Sequence, residues 1–254
     1  MESDWDFYFC ELNGHPASVL VDLAYGESGP VDGLSDCVTI RIPLRQPRSD
    51  GLPTREEFPR LNELEDALEG ICAQHEGTLR HVGRVTTNGI REFYFYSSEG
   101  TNAASEFSQV FGAFPDYVPE IEVEPDAEWA LYFQLLFPSD REMQMILNER
   151  ILRQLESVGD QPQVERDVVH WMYFPTEQSR QEFMEQVSQW GFQASAEPPS
   201  EESQLPFGVV VSRHQTADRF TIHETVLMLY DLTDRHGGIY DGWETAVVKA
   251  DDNL

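Results

Sequence analysis

Residues 79–97 read LRHVGRVTTNGIREFYFYS. Two runs rich in β-branched and aromatic residues flank Asn88-Gly89. That dipeptide suits a two-residue hairpin turn, because both central residues need positive φ. The hairpin is the pivot of the fold. Before it, residues 38–44 alternate Val38, Ile40, Ile42 and Leu44 with polar or proline positions, as in a half-buried strand. Between that strand and the hairpin, Thr54-x-x-Glu57 reads as a capping box, and Leu61, Leu64, Leu68 and Ile71 follow at helical spacing. After the hairpin, residues 102–111 predict a short helix that buries Ala103, Phe107 and Phe111. Residues 121–137 then predict a strand, broken near Pro125. Strand, helix, strand, strand, helix, strand is the order of a split βαβ, ferredoxin-like unit.

Upstream, residues 5–12 and 17–23 flank Asn13-Gly14 and predict an extra N-terminal hairpin. Downstream, Ser139-x-x-Glu142 opens a helix to about residue 158, with Met143, Ile146, Leu147, Ile151 and Leu155 on one stripe. Gly159-Asp160-Gln161-Pro162 breaks it, so one domain is expected over 1–158 and a second over 159–254. The same order then recurs. A strand at 168–174 leads to a helix capped by Thr176 and bearing Phe183, Val187 and Trp190. Short strands at 192–196 and 207–213 precede a helix from Asp218 with Ile222, Val226, Leu229 and Leu232 inward. A strand over residues 239–249 closes the sheet. The expected fold class is α+β, with two tandem ferredoxin-like units, the first carrying the extra hairpin.

The chain has 254 residues, with 17 Lys+Arg against 46 Asp+Glu and a formal charge of −29. The excess is spread evenly: 11 basic against 29 acidic residues before Gly159, and 6 against 17 from it on. At 40% hydrophobic residues the chain can build cores, which excludes a disordered acidic polymer. Direct gripping of a nucleic-acid backbone needs clustered cations and is not expected. Two readings of the charge stand: solubility, including adaptation to salt, and attraction to a basic partner. Cys10, Cys37 and Cys72 form no C-x-x-C, so neither a disulfide framework nor a zinc ribbon is expected. MESDWDFYF lacks the basic start of a signal peptide, and no apolar run is long enough to span a membrane. The cytoplasm is the expected compartment.

No phosphate loop, dinucleotide fingerprint, nucleophile elbow or H-E-x-x-H motif occurs, and Leu227 stands where His223-Glu224 would need a second imidazole. No enzyme, cofactor or metal is therefore expected. Two segments stand out as surfaces. Glu120, Glu122, Glu124, Asp126 and Glu128 alternate with Ile121 and Val123, and on a strand they project from one face. Such a row is either solvated or met by cations or an arginine-rich segment. The other segment is GGIYDGWET, residues 237–245, where Asp241-Gly242 permits a bulge. In one reading the bulge presents Tyr240 and Trp243 outward, beside Asp241 and Glu244, as anchors of an interface. In the other, Trp243 plugs the sheet–helix core and Asp241 caps local amides.

VHWMYF (169–174), RQEF (180–183), Gly191-Phe192 and YDGWET (240–245) together resemble the RraB family, regulators of ribonuclease E activity. The resemblance covers about residues 161–249. WDFY at 5–8, the segment around Trp129 and the helix ending at Gly159-Asp160 are similar to the family of unknown function 695 (DUF695), which commonly precedes an RraB-like domain. The resemblance implies a bacterial, non-catalytic regulator with a ferredoxin-like C-terminal domain. It also implies a partner, the basic scaffold region of ribonuclease E, whose occupation slows RNA decay. An acidic binder suits such a target. The implied contact strand carries Tyr240, Asp241, Trp243 and Glu244, while the acidic row of Glu120, Glu122 and Glu124 follows from the residues alone. Stand-alone members carry a long acidic tail, and here only Asp251 and Asp252 stand at the end. The alternative function is small-molecule sensing in a groove between the two units, with Trp5, Trp129 and Trp171 as its lining.

Overall fold

The computed structural model describes residues 2–200 and 203–249; Asp251 and Asp252 lie outside the described residues. The chain divides into Met1–Glu142 and Met143–Leu254.

In the first unit, β1 (Trp5–Leu12) and β2 (His15–Asp22) precede a short helix, α1 (Tyr25–Ser28). Then come β3 (Asp36–Pro43), α2 (Phe58–Gln74), β4 (Leu79–Thr87), β5 (Ile90–Ser97), α3 (Gly100–Val110) and β6 (Glu120–Pro125). Six strands make one antiparallel sheet in the order β1-β2-β4-β5-β3-β6. Both turn dipeptides adopt the left-handed backbone their sequence suits, at φ 53° and 80° for Asn13-Gly14 and 47° and 77° for Asn88-Gly89. Within β3 to β6, the fourth strand lies beside the first, the first beside the third, and the third beside the second. The N-terminal hairpin extends that sheet past β4. Val38, Ile40, Ile42, Phe93 and Phe95 pack against Leu61, Leu64 and Leu68 of α2 and Phe107 of α3. Burying each such side chain contributes roughly 1.5–3 kcal/mol.

Two local expectations are corrected here. The Thr54-x-x-Glu57 spacing does not form a capping box, since α2 starts at Phe58 without a side-chain cap. Glu57 instead accepts the Arg45 and Gln46 backbone N–H groups at 2.8 and 3.0 Å and the Tyr117 hydroxyl at 3.1 Å. It pins the loop after β3 rather than the helix end. Residues beyond Pro125 are not strand either. The Asp126 carboxylate accepts the N–H groups of Ala130 and Leu131 at 2.7 and 3.0 Å, which starts a helical turn continued by Tyr132–Leu136. Trp129 enters that turn at φ 54°, stacks on Tyr96 with centroids 4.1 Å apart, and donates its indole N–H to the Leu34 carbonyl. Trp129, Tyr132 and Leu136 are fully buried.

The second unit begins within α4 (Asp140–Ser157). It continues with β7 (Arg166–Phe174), α5 (Glu177–Gln189), β8 (Gln193–Ala196), β9 (Phe207–Gln215), α6 (Arg219–Arg235) and β10 (Ile239–Thr245). The Ser139 capping box is formed, with the Ser139 N–H and hydroxyl both 2.8 Å from the Glu142 carboxylate. Thr176 and Asp218 cap α5 and α6 as their positions predict. The antiparallel sheet runs β10-β7-β9-β8, again fourth, first, third, second. Val168, Met172, Phe174, Val209 and Val211 meet Phe183 and Val187 of α5 and Ile222, Val226 and Leu229 of α6. Ile151, Leu152 and Leu155 of α4 pack on this same core. The division of the chain therefore falls near the head of α4, ahead of the expected boundary at residue 158.

A buried clasp closes this unit. The Asp160 carboxylate holds the Arg166 guanidinium at 2.7 Å and the Val248 N–H at 2.8 Å, while the Gln161 N–H donates to the Val248 carbonyl. The Asp160 and Arg166 side chains are 2% and 6% exposed.

Candidate partner-binding surface

The last strand is decided by one extra residue. Tyr240 pairs with Met172 and Gly242 with Trp171, so Asp241 is bulged out of the ladder, and Gly242 sits at φ 147°. In an unbroken strand, residues three apart face opposite ways. The bulge turns both Tyr240 and Trp243 toward the helices. Their exposures are 5% and 6%, so the outward reading of these two side chains is corrected. The Tyr240 hydroxyl lies 2.8 Å from Nδ1 of His170, and the Trp243 indole N–H donates to Oδ1 of Asn148 on α4 at 2.8 Å. Burial, then the nearby Arg213 charge, pushes the His170 ring down to about 3. The ring is neutral in the folded protein. Burial likewise raises the Tyr240 hydroxyl. Asp241 and Glu244 remain exposed.

Glu120, Glu122 and Glu124 stand exposed on β6, an edge strand, opposite Arg41, Thr39 and Cys37. Arg41 pairs with Glu92 at 2.6 Å and reaches Glu120 at 3.6 Å. Asp126 leaves this row to cap the turn described above, and Glu128 lies past the strand end. The acidic strand face is thus three carboxylates, not five.

Trp129 is sealed in the first core and lines no groove. Trp5 lies against His81, with centroids 5.0 Å apart. It forms part of a surface cleft of about 660 Å³ with Tyr25, Asp22, Glu69 and Arg80. Trp171 is half-buried on the sheet face away from the helices. Glu65, Glu69 and His81 bring ligand atoms within 4.8 Å of one another. However, Arg84 stands 3.1 Å from Glu65, and both His81 nitrogens are engaged, by Glu69 and by the Gly83 carbonyl, each at 3.1 Å. Arg84 thus supplies positive charge beside Glu65, and His81 and Glu69 are already paired with each other.

The sequence reading missed the outer face of the second sheet. The signal was present in residues 167–174, where Val169, Trp171 and Tyr173 alternate with Val168, His170, Met172 and Phe174. Such a strand is apolar on both faces, although its own helices cover only one.

These features define an acidic α+β protein built from two antiparallel-sheet units. The chain belongs to the family of unknown function DUF695, whose model matches residues 3–137, and residues 145–245 match the model of Regulator of ribonuclease activity B, RraB. The arrangement of an N-terminal DUF695 domain and a C-terminal RraB domain is the one read from the sequence. No curated protein matches. Among solved structures, one of an unknown protein from Galdieria sulphuraria is similar at 11% identity and a TM-score of 0.23, covering 84% of this chain and 99% of that one. Another, a protein provisionally described as a glycine cleavage system transcriptional repressor, is similar at 9% identity and a TM-score of 0.22, covering 85% and 98%. Scores this low bear on neither fold nor function.

Proposed function

We propose that this protein is a non-enzymatic regulator that acts in the cytoplasm by binding a basic segment of another protein. The favoured partner is the scaffold region of ribonuclease E, and the effect is slower RNA decay. The match of residues 145–245 to the RraB family carries this reading. The formal charge of −29 supports it, because long-range attraction speeds encounter with a basic target. The proposed contacts are the exposed carboxylates Asp241 and Glu244 on the last strand and Glu120, Glu122 and Glu124 on β6. Tyr240 and Trp243 serve by holding the last strand in place. We also assign both units to the split βαβ, ferredoxin-like class, on the strength of their common strand order.

The test is capture of the full chain on the immobilised ribonuclease E scaffold region of its own host. Retention at low salt, lost as salt shortens the screening length to about 10 Å and below, is expected. Overproduction should lengthen messenger half-lives. Absence of retention at low salt overturns the proposal.

A further inference from the structure

Helices α4, α5 and α6 all pack on one face of the second sheet. Strand register lays out the other face. One row across the strands runs Glu244, Val169, Ser212, Gln193. The next runs Gly242, Trp171, Val210, Ser195, and a third runs Ile239, Tyr173, Gly208. Val169, Trp171, Tyr173 and Val210 are half-buried, and Ile239 is 59% exposed. This is an apolar, aromatic platform on strands rather than on loops.

Its margins are acidic. A Cβ built on Gly208 would lie 2.5 Å from the Glu197 carboxylate and 3.3 Å from the Tyr173 ring. The carboxylate and the ring therefore converge over a residue that has no side chain to separate them. Burial, then Asp241 and Glu197, raises the Tyr173 hydroxyl, which places both carboxylates in electrostatic reach of that ring. On the other flank, a Cβ on Gly242 would meet nothing within 4 Å, so the side of Trp171 is open. None of the strand residues in these rows is lysine or arginine. His214, one row further out, is paired with Asp167 at 3.0 Å.

We propose that this face docks an arginine-bearing segment of a partner protein, with guanidinium groups over Trp171 and Tyr173 and the carboxylates of Glu197, Asp241 and Glu244 closing around them. The inference rests on the reading of the second unit as a binder of basic protein segments, and it names the face and the side chain that is recognised. Guanidinium is favoured over ammonium because it is planar, stacks on aromatic rings and pairs with carboxylates through a fixed fork. Charge complementarity selects the occupant: an apolar face rimmed by carboxylates repels an acidic strand and a second copy of this chain alike.

The experiment titrates the full chain with a short peptide alternating arginine and serine, and with its lysine counterpart, at low salt. Tighter binding of the arginine peptide is expected. Trp171→Ala should weaken it about tenfold, the scale of a desolvated cation–π contact. Because Trp171→Ala can also loosen the sheet, Glu197→Gln is measured beside it, with an unchanged melting temperature and weaker binding expected. Glu56→Gln with Asp66→Asn, exposed in the first unit, should leave the affinity as it was. Equal affinity for both peptides, no binding, or loss from the Glu56 and Asp66 pair but not from Trp171 and Glu197 overturns the inference. The same variants are then run on the ribonuclease E scaffold. Retention of wild type and of Trp171→Ala and Glu197→Gln alike sinks this face while leaving the proposed function standing. Arginine-peptide binding through Trp171 without scaffold retention does the reverse.

Discussion

Trp243 fills the space between β10 and α4, and its N–H ends on Asn148. Trp243→Ala empties that space and should cost about 3–5 kcal/mol, read as a lower urea midpoint of the full chain. Trp243→Phe keeps most of the volume but strands the Asn148 oxygen, and should cost about 1–3 kcal/mol. His170 gives a pH signature. Above its unfolded value of about 6.5 the ring is neutral in both states. Between there and the folded value of about 3, the unfolded chain takes a proton that the folded chain refuses. Stability therefore falls as pH is lowered through that window, by up to about 1.4 kcal/mol per pH unit from this ring. His170→Gln should flatten the slope, and urea midpoints for both proteins on descending from neutral pH check it. An unchanged slope would assign the acid sensitivity elsewhere.

At the scale of elements, both hairpins and the recurring strand and helix order were legible because their signals are local. Asn13-Gly14 and Asn88-Gly89 set their own backbone, and Thr176 and Asp218 bond to amides three residues on. What failed depended on distant partners. Glu57 meets the capping spacing but is claimed by residues 45, 46 and 117, and Asp126 looked like one more strand carboxylate until its amides at 130 and 131 were placed. The two kinds of Thr and Asp make opposite forecasts. Asp218→Ala should lower stability by about 1 kcal/mol, the ordinary worth of an N-cap. Thr54→Ala should lower it far less, since the buried Thr54 hydroxyl has no hydrogen-bond partner to lose. Paired chemical denaturation curves decide it, and a matching loss at Thr54 would restore the capping box.

For the whole molecule, the acidity and the absence of familiar catalytic motifs could be read from the chain, but the direction in which the last strand faces could not. A single bulged residue reverses it, and no periodicity shows where Asp241 leaves the ladder. The outer sheet face was hidden for a related reason: a strand apolar on both sides gives no hint that helices cover one side only. If the charge acts in binding, affinity for a basic segment should fall steeply between low and physiological salt, while exposed-charge variants such as Asp241→Asn shift affinity and leave the melting temperature alone. A salt-independent affinity would mean that apolar contact dominates. The Asp160–Arg166–Val248 clasp has its own consequence. It rivets the points where the chain arrives at and departs from the second sheet, so that residues 160–249 form a closed loop whose two ends are held by one carboxylate. Asp160→Ala therefore unfastens both ends at once, leaving the Arg166 guanidinium and the Val248 amide short of the same acceptor.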